Sequence, residues 1–142
     1  MLVPRIARLA LVAALAALFS AGPTRAEPAA EGSAPILVKI HADWCGTCRK
    51  LNPTWDELKA RHGDGVRYVI LDVTSRDTLV EATAEAERLG ILPVLNAYKA
   101  RTGTIVIVDG RTKQVVEVLK GQTDPAAYEA AIERAQADDT SS

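Results

Sequence analysis

The spacing of apolar positions changes several times along the chain, and each change marks an element. Residues 36–41, ILVKIH, are a short and mostly apolar run, suited to a strand covered on both faces. From Cys45 to about Arg61 the spacing turns helical, with Leu51, Trp55 and Leu58 at i, i+4 and i+7. Pro53 inside that run predicts a kink, and Gly63-Asp64-Gly65 predicts its end. Residues 66–73, VRYVILDV, read as the second strand. The next helix takes Thr78 and Glu81 as a capping box, carries Leu79, Ala82, Ala86 and Leu89 as its apolar stripe, and stops at Gly90. Residues 91–102 read as a short helix with Pro93 in its first turn. Residues 104–121 are two strands about a turn at Asp109-Gly110, and residues 123–137 a helix with Asp124 as N-cap and Pro125 at its first position. The order β-α-β-α-β-β-α joins a right-handed parallel βαβ unit to an antiparallel hairpin. It predicts an α/β fold, one mixed four-stranded sheet flanked by helices on both faces.

The first residues do not belong to that pattern. Arg5 and Arg8 precede an apolar run from Leu9 to Phe19, and a small-residue site, Thr24-Arg25-Ala26, follows. This is the layout of a secretory signal peptide cleaved near Ala26. The competing reading, an uncleaved membrane anchor, meets a run of about 11 residues where about 20 are needed. The expected organisation is a signal peptide at 1–26, a flexible lead-in rich in Pro, Ala and Gly at 27–34, one domain at 35–137, and a disordered polar tail at 138–142. Cleavage would leave 116 residues of the 142 and remove three arginines and no acids, taking the net charge from −1 to −4. A mildly acidic domain argues against nucleic acid as a partner. Export points to a periplasmic or extracellular, oxidising compartment, with no membrane contact once the leader is gone.

In that compartment the two cysteines, Cys45 and Cys48, are too few for a disulfide scaffold. They open the first helix, where free backbone N–H groups and the helix dipole favour a thiolate, the species that attacks a disulfide. The first cysteine is the more accessible and suits the nucleophile; the second, one turn in, can resolve the mixed disulfide. Arg49 and Lys50 add positive charge nearby. A metal reading stays open, because two thiolates suit Cu(I). Zinc, however, usually asks for four ligands, and only His41 and His62 are at hand. A structural staple is the weakest reading, since a loop this short constrains little of the unfolded chain.

The stretch ILVKIHADWCGTCRKLNPTWDEL resembles the active-site region of thioredoxin-like proteins. The likeness lies in the strand, the Ala-Asp-Trp-Cys lead, the Cys-Gly-Thr-Cys pair and the proline five residues after the second cysteine. The strand order and the closing hairpin and helix also fit, over about residues 35 to 137; the leading strand and helix of full-length thioredoxins have no counterpart. The resemblance implies the thioredoxin fold, with Cys45 attacking, Cys48 resolving, and Trp44 as the aromatic flanking the active site, which we read as partly exposed and part of the docking surface; Trp55, on the apolar face of the helix, is the core tryptophan. It implies a thiol–disulfide oxidoreductase acting on protein thiols and disulfides, with a redox partner protein, no organic cofactor and no resident metal. Our reading takes it as a monomer working in the reducing direction. The alternative is a non-catalytic binding module or a Cu(I) carrier built on the same pair.

The chain departs from that family at four places. Lys39 stands where thioredoxins bury an aspartate, and either acts on Cys48 or packs with its ammonium on a carboxylate, Asp72 or Glu57 being candidates. His41 stands where they have a tryptophan. Gly46-Thr47 between the cysteines matches neither the Gly-Pro of thioredoxins nor the Pro-His of strong oxidants. Finally, the proline that faces the cysteines is either Pro93, with residues 94–98 becoming a strand, or is replaced by Gly103 in the loop Arg101-Thr102-Gly103-Thr104, where Thr102 would offer backbone groups to substrate.

Overall fold

The computed structural model describes residues 32–137. The signal peptide, most of the lead-in and the polar tail lie outside the described residues. Four strands, β1 (Ile36–His41), β2 (Arg67–Asp72), β3 (Thr104–Val108) and β4 (Val115–Lys120), form one sheet in the order β2-β1-β3-β4. β1 runs parallel to β2 and antiparallel to β3, and β4 closes the hairpin on β3. Among the described residues no helix is long and apolar enough to cross a membrane.

Strand alternation sorts the core into two layers. Ile36, Val38 and Ile40 of β1, with Val69, Leu71, Val106 and Val108, face α3 (Arg76–Arg88) and α4 (Leu92–Tyr98). Leu37, Ile105 and Ile107 point the other way, onto Leu51, Trp55 and Leu58 and onto Tyr128, Ala131, Ile132 and Ala135 of α5 (Ala126–Ala137). Each of the larger apolar side chains buried there contributes about 1.5–3 kcal/mol. Lys39 takes its place in the second layer, with Ile70 and Ile105 as its register partners.

The active helix is two pieces. α1 (Gly46–Lys50) ends at Leu51, whose N–H is shared between the Thr47 and Cys48 carbonyls, and α2 (Asn52–His62) starts again with Pro53 in its first turn. The break comes two residues ahead of the proline because Pro53 has no N–H to donate to the preceding turn and its ring crowds the carbonyl there. The expected capping box at Thr78 and Glu81 is corrected. Ser75, in extended conformation, is the N-cap; its hydroxyl accepts from the Thr78 N–H, and the Thr78 hydroxyl accepts from the Ser75 N–H. The hairpin turn is also longer than Asp109-Gly110. It runs to Gln114, because the Asp109 carboxylate accepts the Arg111 and Thr112 N–H groups and folds the loop back on itself. Asp124 caps α5 as expected, accepting from Ala126.

Candidate active site

Cys45 and Cys48 are joined as a disulfide, with Cα atoms 5.3 Å apart, at the junction of β1 and the active helix. The chain leaves β1 at His41, turns through Ala42-Asp43-Trp44, and closes that turn with a Cys45 N–H bond to the Ala42 carbonyl at 3.0 Å. Cys45 is the N-cap of α1, and its sulfur accepts the Cys48 N–H at 3.1 Å. The two sulfurs differ in access: Cys45 keeps 7% of its surface exposed and Cys48 none. Cys48 Sγ lies 3.6 Å from the carbonyl oxygen of Ile40.

The turn that carries Trp44 is pinned from the end of β2, by residues with no sequence signal. The Thr74 hydroxyl accepts the Asp43 N–H and donates to the Asp72 carboxylate, the Thr74 carbonyl accepts the Trp44 indole N–H at 3.2 Å, and Arg49 donates to the Asp43 carbonyl at 3.0 Å. Trp44 is thereby held with 65% of its surface in solvent beside the disulfide. Burial pushes the Asp72 carboxyl up, but the Thr74 hydroxyl and amide outweigh it and hold Asp72 below the usual range. His41 makes its polar contact with Asp43, 3.3 Å away. His41, Asp43 and Asp72 are the described residues whose ligand atoms lie close together, within 4.8 Å. Asp43 and His41 engage each other and Asp72 is taken by Thr74, so they read as a hydrogen-bonded cluster of the loop.

Gly103, and not Pro93, stands over the pair. A Cβ added at Gly103 would lie 3.5 Å from Cys45 Sγ and 2.7 Å from Thr47 Cγ2, and the backbone there has φ +75°. Its N–H donates to the Ile40 carbonyl at 3.0 Å, and its carbonyl accepts from Gly121 at 2.8 Å. Thr102, half-buried, precedes it on this rim. The Pro93 alternative is corrected. Residues 94–98 are helical, with Pro93 in the first turn of α4, and Pro93 lines a groove with Tyr98, Lys113 and Val115. The strand expected by that alignment does not form because Val94 and Leu95 pack into the α3–α4 layer at helical spacing. Gly46, exposed, and Thr47, half-buried, separate the cysteines.

Neither carboxylate proposed for Lys39 is its partner. Its ammonium donates to Asn52 Oδ1 at 2.6 Å and lies 5.6 Å from the centre of the Trp55 ring. Burial lowers the Lys39 pKa from its ordinary value, and the field of Asp56 works against that. Sequence reasoning missed Asn52 because its amide differs from any other exposed polar residue only by its placement one turn beyond Cys48.

The comparisons bear on both fold and family. A family model described as thioredoxin matches residues 26–120. The chain is 30% identical to the thioredoxin of Alicyclobacillus acidocaldarius over 64% of its own length and 83% of that protein's. It is 30% identical to protein disulfide-isomerase of Gallus gallus over 73% of its own length and 20% of that protein's; it thus spans about a fifth of the length of that first group of relatives. A solved structure titled as a thioredoxin-like protein in the oxidized form superposes with a TM-score of 0.50 at 19% identity, covering 75% of this chain and 80% of the other, a likeness of fold.

Proposed function

The chain belongs to the thioredoxin family, and on that premise we propose that it is an exported thiol–disulfide oxidoreductase that reduces protein disulfides. The observation that carries the reading is the asymmetry of the pair, one cysteine keeping 7% of its surface exposed and its sulfur accepting a backbone N–H, the other fully buried behind it. In the reduced state the same N–H stabilises a Cys45 thiolate. That thiolate attacks a substrate disulfide: a Cys45–substrate S–S bond forms, the substrate S–S bond breaks, and the first substrate sulfur leaves and takes a proton. Cys48 then gives up its proton and attacks Cys45 Sγ, the second substrate sulfur leaves as a thiol, and the pair closes as the disulfide of the structure. Two electrons pass from the pair to the substrate. A partner dithiol must return them, and no organic cofactor enters any step.

Trp44 and the Thr102-Gly103 rim flank Cys45 and form the surface that a substrate peptide meets. Nothing in the exchange calls for a second copy, and we read the chain as a monomer. Export rests on the sequence of residues 1–26, and the mass of the mature protein, 116 residues if cleavage follows Ala26, tests it. The reducing direction is supported by the extent of the match to thioredoxins, which covers most of their length.

Cys48→Ser tests the chemistry. Substrate proteins should accumulate as mixed disulfides on Cys45, released by dithiothreitol, and Cys45→Ser should trap none. A Cys48→Ser protein that traps nothing sinks the proposal. The reduction potential tests the direction: a value near or below about −250 mV agrees with a reductase, and one above about −150 mV reverses it.

A further inference from the structure

The exchange as described makes no use of Lys39, although that residue is only 2% exposed and lies in the middle of the sheet. A buried ammonium is costly unless it is paired. Among the described residues no carboxylate closes an ion pair with it; a neutral amide and an aromatic face hold it instead. Burial opposes the charge and lowers the Lys39 pKa, while the field of Asp56 and both contacts favour the charged form.

The position of the charge follows from two contacts. Asn52, which holds the ammonium at 2.6 Å, opens α2 four residues beyond Cys48, just past the break at Leu51. Cys48 Sγ lies 3.6 Å from the carbonyl of Ile40, the residue next to Lys39 on β1. The ammonium therefore lies at the junction of α1 and α2, on the sheet face that also meets Leu51 and Trp55, in a residue only 2% exposed and with its bond to Asn52 half-buried.

We propose that Lys39 is a positioning residue for the second half of the exchange: its ammonium, held by Asn52 beneath the active helix, favours the thiolate of Cys48 and so readies the resolving attack. This rests on the oxidoreductase reading above. Lys39 transfers no proton in this account. Cys48 gives up its proton to solvent through the opened site, its sulfur attacks Cys45 Sγ, the Cys45–substrate bond breaks, and the substrate sulfur leaves and takes up a proton. The charge also weighs on the equilibrium. A cation that stabilises the Cys48 thiolate stabilises the reduced pair against the neutral disulfide, so at pH values where Cys48 is ionised it makes the pair more oxidising than the same fold without it.

The other titratable groups around Lys39 are few. α2 brings Asp56, and α1 ends in Arg49 and Lys50, both exposed. β2 presents Ile70 opposite Lys39, with Tyr68 and Asp72 to either side on the same face, their polar atoms engaged by the Leu58 carbonyl and by Thr74. His41 follows two residues along β1, with Asp43, and β3 presents Ile105. Tyr128 of α5 lies in the same layer and donates to the Gln122 carbonyl.

The test compares the full chain with Lys39→Met and Asn52→Asp. Met keeps the length of the stem and removes the charge; Asp sets a carboxylate on the ammonium at an exposed position, where folding is not at risk. With Cys45→Ser added to each, Cys48 is the sole thiol, and its ionisation is followed by thiolate absorbance. Both changes should weaken the acidity of Cys48 about tenfold. In the intact pairs, equilibration with glutathione should then shift about tenfold toward the disulfide, about 30 mV, at pH values above the Cys48 midpoint, and the shift should vanish below it. Lys39→Arg, which keeps the charge, should stay near the parent. An unmoved Cys48 midpoint in Asn52→Asp and in folded Lys39→Met overturns the proposal. If Lys39→Met does not fold, Asn52→Asp alone decides. If the parent pair fails to cycle with glutathione, it is the oxidoreductase reading that falls, while the Cys48 titration still reports on Lys39.

Discussion

Gly103→Ala adds one methyl group where backbone and packing both oppose it. At φ +75° the backbone of Gly103 is left-handed, which costs an L residue about 1–2 kcal/mol. The new carbon would also lie 2.7 Å from Thr47 Cγ2 and 2.8 Å from Thr47 Cβ, about 1 Å inside ordinary carbon–carbon contact. Rotating Thr47 relieves the first clash and not the second, because Cβ is fixed to the backbone of α1. Either α1 or the loop before β3 must move, and overpacking of this kind costs about 1–3 kcal/mol. Together the loss is about 2–5 kcal/mol. Equilibrium unfolding in guanidinium should show it as a lower midpoint at unchanged slope, and a thermal melt as a fall of about 10 °C or more. The two contributions separate in a double-mutant cycle. Thr47→Gly should recover the packing part, about 1–3 kcal/mol, and leave the backbone part. If Gly103→Ala lies within about 0.5 kcal/mol of the parent, or is additive with Thr47→Gly, the loop is not clamped on α1 as described.

Ser75→Ala should cost about 1 kcal/mol in the same unfolding assay, and Glu81→Ala should stay within about 0.5 kcal/mol; the opposite ranking would restore the capping box at Thr78 and Glu81. Burial pushes the hydroxyls of Tyr68 and Tyr128 up to about 12. Raised folded-state values mean that the stability they contribute is whole below the unfolded value of about 10 and is lost as pH rises from there through about 12. A tyrosinate titration at 295 nm should find two late-ionising groups that move to about pH 10 in denaturant, and a folded protein in which Tyr68 and Tyr128 both ionise at the ordinary value refutes this.

What the sequence disclosed was what periodicity and local chemistry encode. β1, the βαβ crossover and the closing helix follow from apolar spacing and from Asp124-Pro125, and the pair follows from Cys45 and Cys48 standing where a buried run becomes a helix. What stayed hidden depends on residues distant in the chain. Thr74 fixes Trp44 from the end of β2, and Asn52 takes Lys39 in place of the carboxylates that charge alone would nominate. Two polar groups met across a fold leave no mark on the spacing of either. The kink at Pro53 was legible from the proline itself, whereas the cap at Ser75 was misplaced by three residues for a local reason, since more than one Ser or Thr can serve a helix start and only the backbone conformation selects between them.

The same backbone makes the two sulfurs chemically unlike. Cys45 Sγ faces an N–H, which stabilises negative charge, whereas Cys48 Sγ faces the Ile40 carbonyl, which can accept from a thiol and repels a thiolate. Full burial pushes Cys48 in the same direction. Left to the backbone alone, Cys45 would be ready to attack and Cys48 would hold its proton, so the mixed disulfide would form readily and resolve slowly. On the proposal above, the Lys39 ammonium near that second thiol cannot accept a proton and can only make losing one easier. The consequence is specific to the second step. Removing the charge of Lys39 should leave the first attack by Cys45 unchanged and slow the release of the bound substrate at neutral pH, and raising the pH should restore that release, because hydroxide then does what the buried charge no longer does.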